Sequence, residues 1–166
     1  MRLTSFTLAL AVCASPALAV DDCLIGTWQA DLAGLADIMA GQMNGTATPV
    51  GGSVTMQITP DGVASMNVNN MVINVVVPNA PAMDVGVNGV SSGNFTAEGG
   101  RWTVATSSYN LVGSANVMGQ TMTIPFDSST GMMGGGSGTY DCSSSAVTFQ
   151  TDGPNPTMPP SWTRAG

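Results

Sequence analysis

Cys23-Leu24-Ile25-Gly26-Thr27-Trp28 is the stretch that decides the fold. Its apolar residues predict a short strand, and beyond residue 19 its cysteine has one possible partner, Cys142. Two cysteines in an oxidising compartment normally pair, and neither has the CxxC spacing or the basic neighbour that activates a thiol. We therefore expect a Cys23–Cys142 disulfide that brings an early and a late strand together, as a sheet closed into a barrel requires. Closing so long a loop stabilises the fold by about 4 to 5 kcal/mol in the chain-entropy model.

Residues 1–19 have the pattern of a secretory signal peptide. Arg2 gives a positive start, residues 3–12 form an apolar run too short to span a bilayer, and Ala17-Leu18-Ala19 is a small-x-small cleavage site. We expect cleavage near Ala19 and a secreted or periplasmic protein that does not span the membrane.

Cleavage there leaves residues 20–166, a length suited to a single domain. The alternative processing route is lipidation at Cys13. It is disfavoured because Val12 is bulky where a bacterial lipoprotein box takes a small residue.

The charge of the chain excludes several classes of partner. There are ten acidic residues against three basic ones, with no histidine. Nucleic acids and acidic membrane surfaces attract clustered Lys or Arg, so we expect neither as a partner. Abundant Gly, Ser, Thr and Asn with few charges are typical of an extracytoplasmic β protein.

A helix follows the first strand. Apolar residues recur at helical spacing from Asp31, a plausible N-cap, to Gly45, a plausible stop; they are Leu32, Leu35, Ala36, Met39 and Met43. Interior Gly34 and Gly41 cost about 1 kcal/mol each, so this helix needs a surface to lie on and suits a lid.

The rest of the chain alternates apolar and polar residues in short runs separated by turn dipeptides. Examples are Val54, Met56 and Ile58 before Pro60-Asp61-Gly62, with further turns expected at Asn69-Asn70 and Asn88-Gly89. These patterns predict an all-β fold, a single antiparallel up-and-down barrel of about eight to ten strands with one short helix after the first strand.

Gly26-Thr27-Trp28 resembles the Gly-x-Trp signature on the first strand of the lipocalin and calycin superfamily. The resemblance implies that Trp28 packs at the closed end of the barrel beneath an arginine, with Arg164 as the better match and Arg101 as a reserve. An arginine on an indole face is a favourable cation–π contact. The helix after the first strand looks more like the lid of fatty-acid-binding proteins than a lipocalin loop.

The chain lacks the residues that most catalytic mechanisms require. The chain has no histidine base and no lysine, and its carboxylates lie mostly beside turns, where Asp bonds to the backbone. We therefore expect no enzyme activity, no cofactor and no metal.

The methionines have two interpretations. Thioethers are soft ligands for copper(I), and the cluster to test for copper(I) is Met118, Met122, Met132 and Met133. The methionines that alternate in phase with the other apolar residues are assigned to the core; they are Met39, Met43, Met56, Met66, Met71 and Met83.

The inward face of the barrel is the candidate binding site. We expect a non-catalytic protein for a small hydrophobic ligand, held in a cavity gated by residues 31–43. The candidate ligand-binding residues are Leu35, Met39, Met56, Met66, Met71, Ile73 and Val75, with Val85 and Val87 on the same face. The alternative is a filled barrel that acts as a structural or interaction domain of the cell envelope, using the Met132-Met133 loop and the tail Pro154–Pro160.

Overall fold

A computed structural model describes residues 20–125, 128, 134–153 and 156–166. The predicted signal peptide with Cys13, the Met132-Met133 pair and the first residues of the proline-rich tail lie outside these residues. In chain order the elements are β1 Gly26–Ala30, α1 Leu32–Met43, β2 Thr46–Ile58, β3 Val63–Val76, β4 Met83–Glu98, β5 Arg101–Val117, β6 Gln120–Pro125, β7 Gly136–Cys142, β8 Ala146–Thr151 and β9 Ser161–Arg164.

The strands form one antiparallel sheet that closes on itself. Its order is β4-β3-β2-β1-β9-β8-β7-β5, and pairing of β4 with β5 completes the ring. β6 and β7 lie along the same edge of β5, opposite Val112–Val117 and Arg101–Val104. They therefore share one of eight positions in the barrel. The predicted fold class, an all-β antiparallel barrel with a helix after the first strand, is confirmed.

Two of the expected turns are wrong. β3 continues through Asn69-Asn70 and β4 continues through Asn88-Gly89. Asn70 has φ 46°, and the pairing of β3 with β4 shifts there in register, which is the mark of a β-bulge. Gly89 has φ 127°, and a Cβ on it would lie 2.0 Å from the carbonyl oxygen of Asn110. Asn and Gly accept positive φ in a bulge as well as in a turn, so the residue types alone do not distinguish the two.

Unequal strand lengths give the barrel two different ends. β1, β8 and β9 have 4 to 6 residues, whereas β2 to β5 have 13 to 17. At what we call the closed end, β1, β7, β8 and β9 complete the ring. At the extended end, β2 to β6 continue past β1.

The helix α1 packs at the extended end. The Asp31 carboxylate accepts a hydrogen bond from the Ala33 amide at 3.0 Å, and Asn44 ends the helix in the left-handed conformation. The buried side of α1, made of Leu35, Ala36 and Met39, joins the same core as the inward residues of β2 to β4.

The single helix among the described residues is not long and apolar enough to cross a membrane.

Candidate functional site

Arg164 lies over Trp28 at the closed end. Its guanidinium carbon is 4.2 Å from the centroid of the indole ring. The same side chain donates hydrogen bonds to the carbonyl oxygens of Cys23 (2.7 Å), Ile25 (3.0 Å) and Ser144 (2.7 Å). One arginine therefore joins the chain before β1 to the loop that connects β7 and β8.

Gly26 makes room for this arginine. Its φ is 139°, which L side chains rarely adopt, and a Cβ would lie 2.5 Å from Nη1 of Arg164. The spacing of Gly26 and Trp28 therefore has a physical explanation. The glycine leaves space for the guanidinium group, and the indole ring packs against it.

The Cys23–Cys142 disulfide is present beside this arginine, with 6.2 Å between the two Cα atoms. Close by, the Tyr140 hydroxyl donates a hydrogen bond to the Asp21 carboxylate. Burial, together with that bond, raises the pKa of Tyr140 to about 12. The closed end is therefore fixed by one covalent bond and by polar contacts of the segment before β1.

Arg101, the reserve candidate, has a different partner. It forms an exposed ion pair with Asp152, 2.6 Å between Nη2 and Oδ2, and Ser137 also donates to that carboxylate. The Arg101 guanidinium lowers the pKa of Asp152 below its usual value, and the Ser137 hydroxyl contributes less.

The predicted ligand-binding residues all lie in the core. Leu35, Met39, Met56, Met66, Met71, Ile73 and Val75 are each at most 7% exposed. The structure brings Met56 and Met66 together around a small internal cavity; the other five do not line it. The described residues that line it are Met56, Ala64, Met66, Ser91, Ser92, Gly93, Val104, Thr106, Gly134 and Met158. Its volume is about 20 Å³, enough for one water-sized guest.

A larger groove lies on the outside of the barrel. It encloses about 450 Å³ over β1 to β4 and is lined by Thr27, Thr55, Gln57, Ser65, Met66, Asn67, Val90, Ser91 and Ser92. None of these residues carries a charge. Two rows of cross-strand partners build it: Thr27, Gln57, Ser65 and Ser92 in one, and Thr55, Asn67 and Val90 in the other.

The amino-acid sequence alone did not predict this groove. Gln57, Ser65 and Asn67 are the polar positions between buried ones, and outward positions of every half-buried strand are polar. Only the lack of charged residues in β1, β2 and β3 was a signal. Its meaning required knowledge of the pairing order.

Clusters of hard or borderline metal ligands are not found: within the described ranges no three His, Cys, Asp or Glu residues come together. Met118 and Met122, from the cluster to be tested for copper(I), are 87% and 55% exposed, and the other two members fall outside those ranges.

No protein-family model, curated protein or solved structure matches the chain.

Proposed function

We propose that the chain is a non-catalytic interaction domain of the cell envelope or the secreted fraction, and that it binds a neutral, hydroxyl-rich partner such as a glycan in the outer groove. The observation that carries this proposal is the contrast between the two spaces. The cavity beside Met56 and Met66 has a volume of about 20 Å³, whereas the groove, at about 450 Å³, is within the size range of small-molecule sites.

The chemistry of the groove favours sugar hydroxyl groups. Amide and hydroxyl side chains such as Gln57, Asn67 and Ser65 each donate and accept hydrogen bonds, which a sugar hydroxyl also does. Ten acidic residues against three basic ones repel anionic polymers, so the favoured glycan is uncharged.

The proposal also covers the cellular location of the domain and the family that it resembles. The disulfide suits an oxidising, extracytoplasmic compartment, and cleavage of a signal peptide near Ala19 would deliver the domain there. Mass spectrometry of the purified protein distinguishes an N-terminus at Val20 from a lipidated Cys13. The barrel, the helix after β1 and the arrangement of Gly26, Trp28 and Arg164 support a lipocalin-like or calycin-like domain.

The test of the groove is titration with short neutral oligosaccharides of the maltose, cellulose and xylose series, followed by NMR. The backbone amide signals of the groove residues Thr55, Ser65 and Ser92 should shift saturably, and Q57A/N67A should abolish these shifts. Gln150→Ala, an exposed glutamine on β8, is the matched control and should leave them unchanged. No saturable shift with any series, or equal shifts in Q57A/N67A, would contradict the proposal.

A hydrophobic ligand inside the barrel is the second candidate function. The observation that favours it is α1, whose Leu35 and Met39 cover the extended end above an aliphatic and methionine-rich interior. The cavity beside Met56 and Met66 admits about one water, so a lipid-like molecule needs more space. In this candidate function an outward movement of α1 provides that space by withdrawing Leu35 and Met39 from the core. Saturable displacement of a fluorescent fatty-acid probe at micromolar concentration, altered by Leu35→Asp, would support this candidate; a folded protein that binds no probe would contradict it.

A further inference from the structure

Three methionine side chains line the same internal cavity. Met56 on β2 and Met66 on β3 are direct cross-strand partners on the inward face. Met158 reaches the cavity from the segment that precedes β9. All three are almost completely buried.

The segment that carries Met158 is fixed on both sides of it. The Thr157 amide donates to Thr151 Oγ1, the Phe149 amide donates to the Pro160 carbonyl at 2.8 Å, and the Trp162 indole donates to the Pro159 carbonyl at 2.8 Å. Met158 is therefore held against β2 and β3 by contacts that do not depend on a guest in the cavity. Such advance positioning lowers the cost of binding a small guest.

The cavity suits a guest of one atom. A volume of about 20 Å³ admits a single ion or water and excludes a lipid or a sugar. Its lining is mainly apolar, and the hydroxyl-bearing residues in it are Ser91, Ser92 and Thr106. The cavity lies beside β5 at Val104 and Thr106, where the pairing of β5 with β7 ends and before its pairing with β6 begins.

Thioether sulfur is a soft ligand that selects soft cations. It does not titrate, and unlike a thiol it forms no disulfide in an oxidising compartment. The cysteines of the described domain are already joined to each other, and the chain has no histidine. Among the described residues, these methionines are thus well placed to bind a soft metal ion.

We propose that Met56, Met66 and Met158 form a three-thioether site for one soft monovalent cation, Cu(I) or its redox-stable analogue Ag(I). This site lies inside the barrel and does not depend on the outer groove or on its glycan.

The experiment uses silver nitrate in chloride-free buffer with the full domain, labelled at the methionine methyl groups. One equivalent of Ag(I) should bind, and the methyl signals of Met56, Met66 and Met158 should move together. Each of the variants Met56→Leu, Met66→Leu and Met158→Leu should weaken the affinity for Ag(I) by more than about tenfold. Loss of a contact that only supports a ligand already costs a metal site about tenfold. Met39→Leu and Met71→Leu, equally buried but away from the cavity, are the matched controls and should bind as the parent does.

Several results would overturn the site. They are absence of Ag(I) binding to the folded parent, methyl shifts confined to exposed Met118 and Met122, and equal weakening in the Met71→Leu control. If a leucine variant fails to fold, the methyl shifts of the parent protein still decide, because through-space NMR contacts with neighbouring residues assign the methyl signals of Met56, Met66 and Met158 without that variant.

Discussion

The closed end and the extended end of the barrel are stabilised by different means. At the closed end Trp28, Trp102 and Trp162 are fully buried, and each indole donates to a backbone carbonyl, those of Leu24, Thr139 and Pro159. The disulfide and Arg164 add a covalent bond and a polar clamp.

The extended end depends on aliphatic burial and on α1, whose interior glycines lower its own stability. Directional contacts fix one geometry, while apolar burial tolerates small displacements of the packed elements. We therefore expect local opening to begin at α1 and the closed end to unfold only with the whole domain.

Removal of the disulfide should have the largest effect. The bond joins residues 119 positions apart, and its loss in C23S/C142S should lower the free energy of unfolding by about 4 to 5 kcal/mol in the chain-entropy model. Urea unfolding followed by tryptophan fluorescence measures this. A loss well below that range would mean that the closed end is held mainly by its non-covalent contacts.

Substitution of Arg164 tests those contacts separately. Arg164→Met keeps much of the aliphatic bulk but loses the cation–π contact and three hydrogen bonds, for an expected cost of about 2 to 3 kcal/mol. Arg164→Lys should recover only part of this, because an ammonium group cannot reproduce the planar fork. Equal stability of the two variants would show that packing, not the clamp, stabilises the closed end.

Sequence reasoning succeeded where a regular period exists. Alternation in β2 and β3 and the helical spacing from Leu32 to Met43 predicted the elements and, with the cysteine pair, the barrel. It failed at Asn70 and Gly89, where the backbone of the neighbouring strand decides between bulge and turn.

The candidate sites were predicted less well than the fold. Met56 and Met66 were identified as inward residues, but Met158 lies in a proline-rich segment without any period. Only the folded chain shows that these three side chains line one cavity. The groove was missed for a related reason, since its two rows are formed by strand pairing and not by neighbours in sequence.

Weakening α1 should affect the extended end alone. Asp31→Ala removes the hydrogen bond that caps the helix, at a cost of about 1 kcal/mol. Amide hydrogen exchange should become faster in α1 and stay unchanged in β1 and β9. Parallel acceleration in β1 would contradict the independence of the two ends.

Alkaline pH should weaken the closed end. The pKa of Tyr140 is raised to about 12 in the fold from an ordinary value near 10, so its stabilising contribution is complete below pH 10. It is lost as the pH rises from 10 toward 12, because the folded state then holds a proton that the unfolded state has released. Tyr140→Phe should remove this part of the pH dependence, which thermal unfolding at several pH values measures; an unchanged slope would contradict the role of the Tyr140–Asp21 hydrogen bond.

The smallest effect should come from the second arginine. Arg101 and Asp152 form a close ion pair, 2.6 Å between Nη2 and Oδ2, yet their side chains are 58% and 50% exposed, so water and salt screen them. Arg101→Gln should therefore raise the pKa of Asp152 toward its ordinary value, visible in an NMR titration, with almost no change in thermal unfolding at neutral pH. Because the pKa of Asp152 is lowered in the folded state, the ion pair stabilises the fold at pH values above the ordinary pKa of the carboxyl. This stabilisation is lost as the pH falls through the pKa of the folded state, so any difference between parent and variant should vanish in acid. A destabilisation by Arg101→Gln as large as that by Arg164→Met would mean that burial does not separate the two arginines, and the contrast between the ends of the barrel would lose its physical basis.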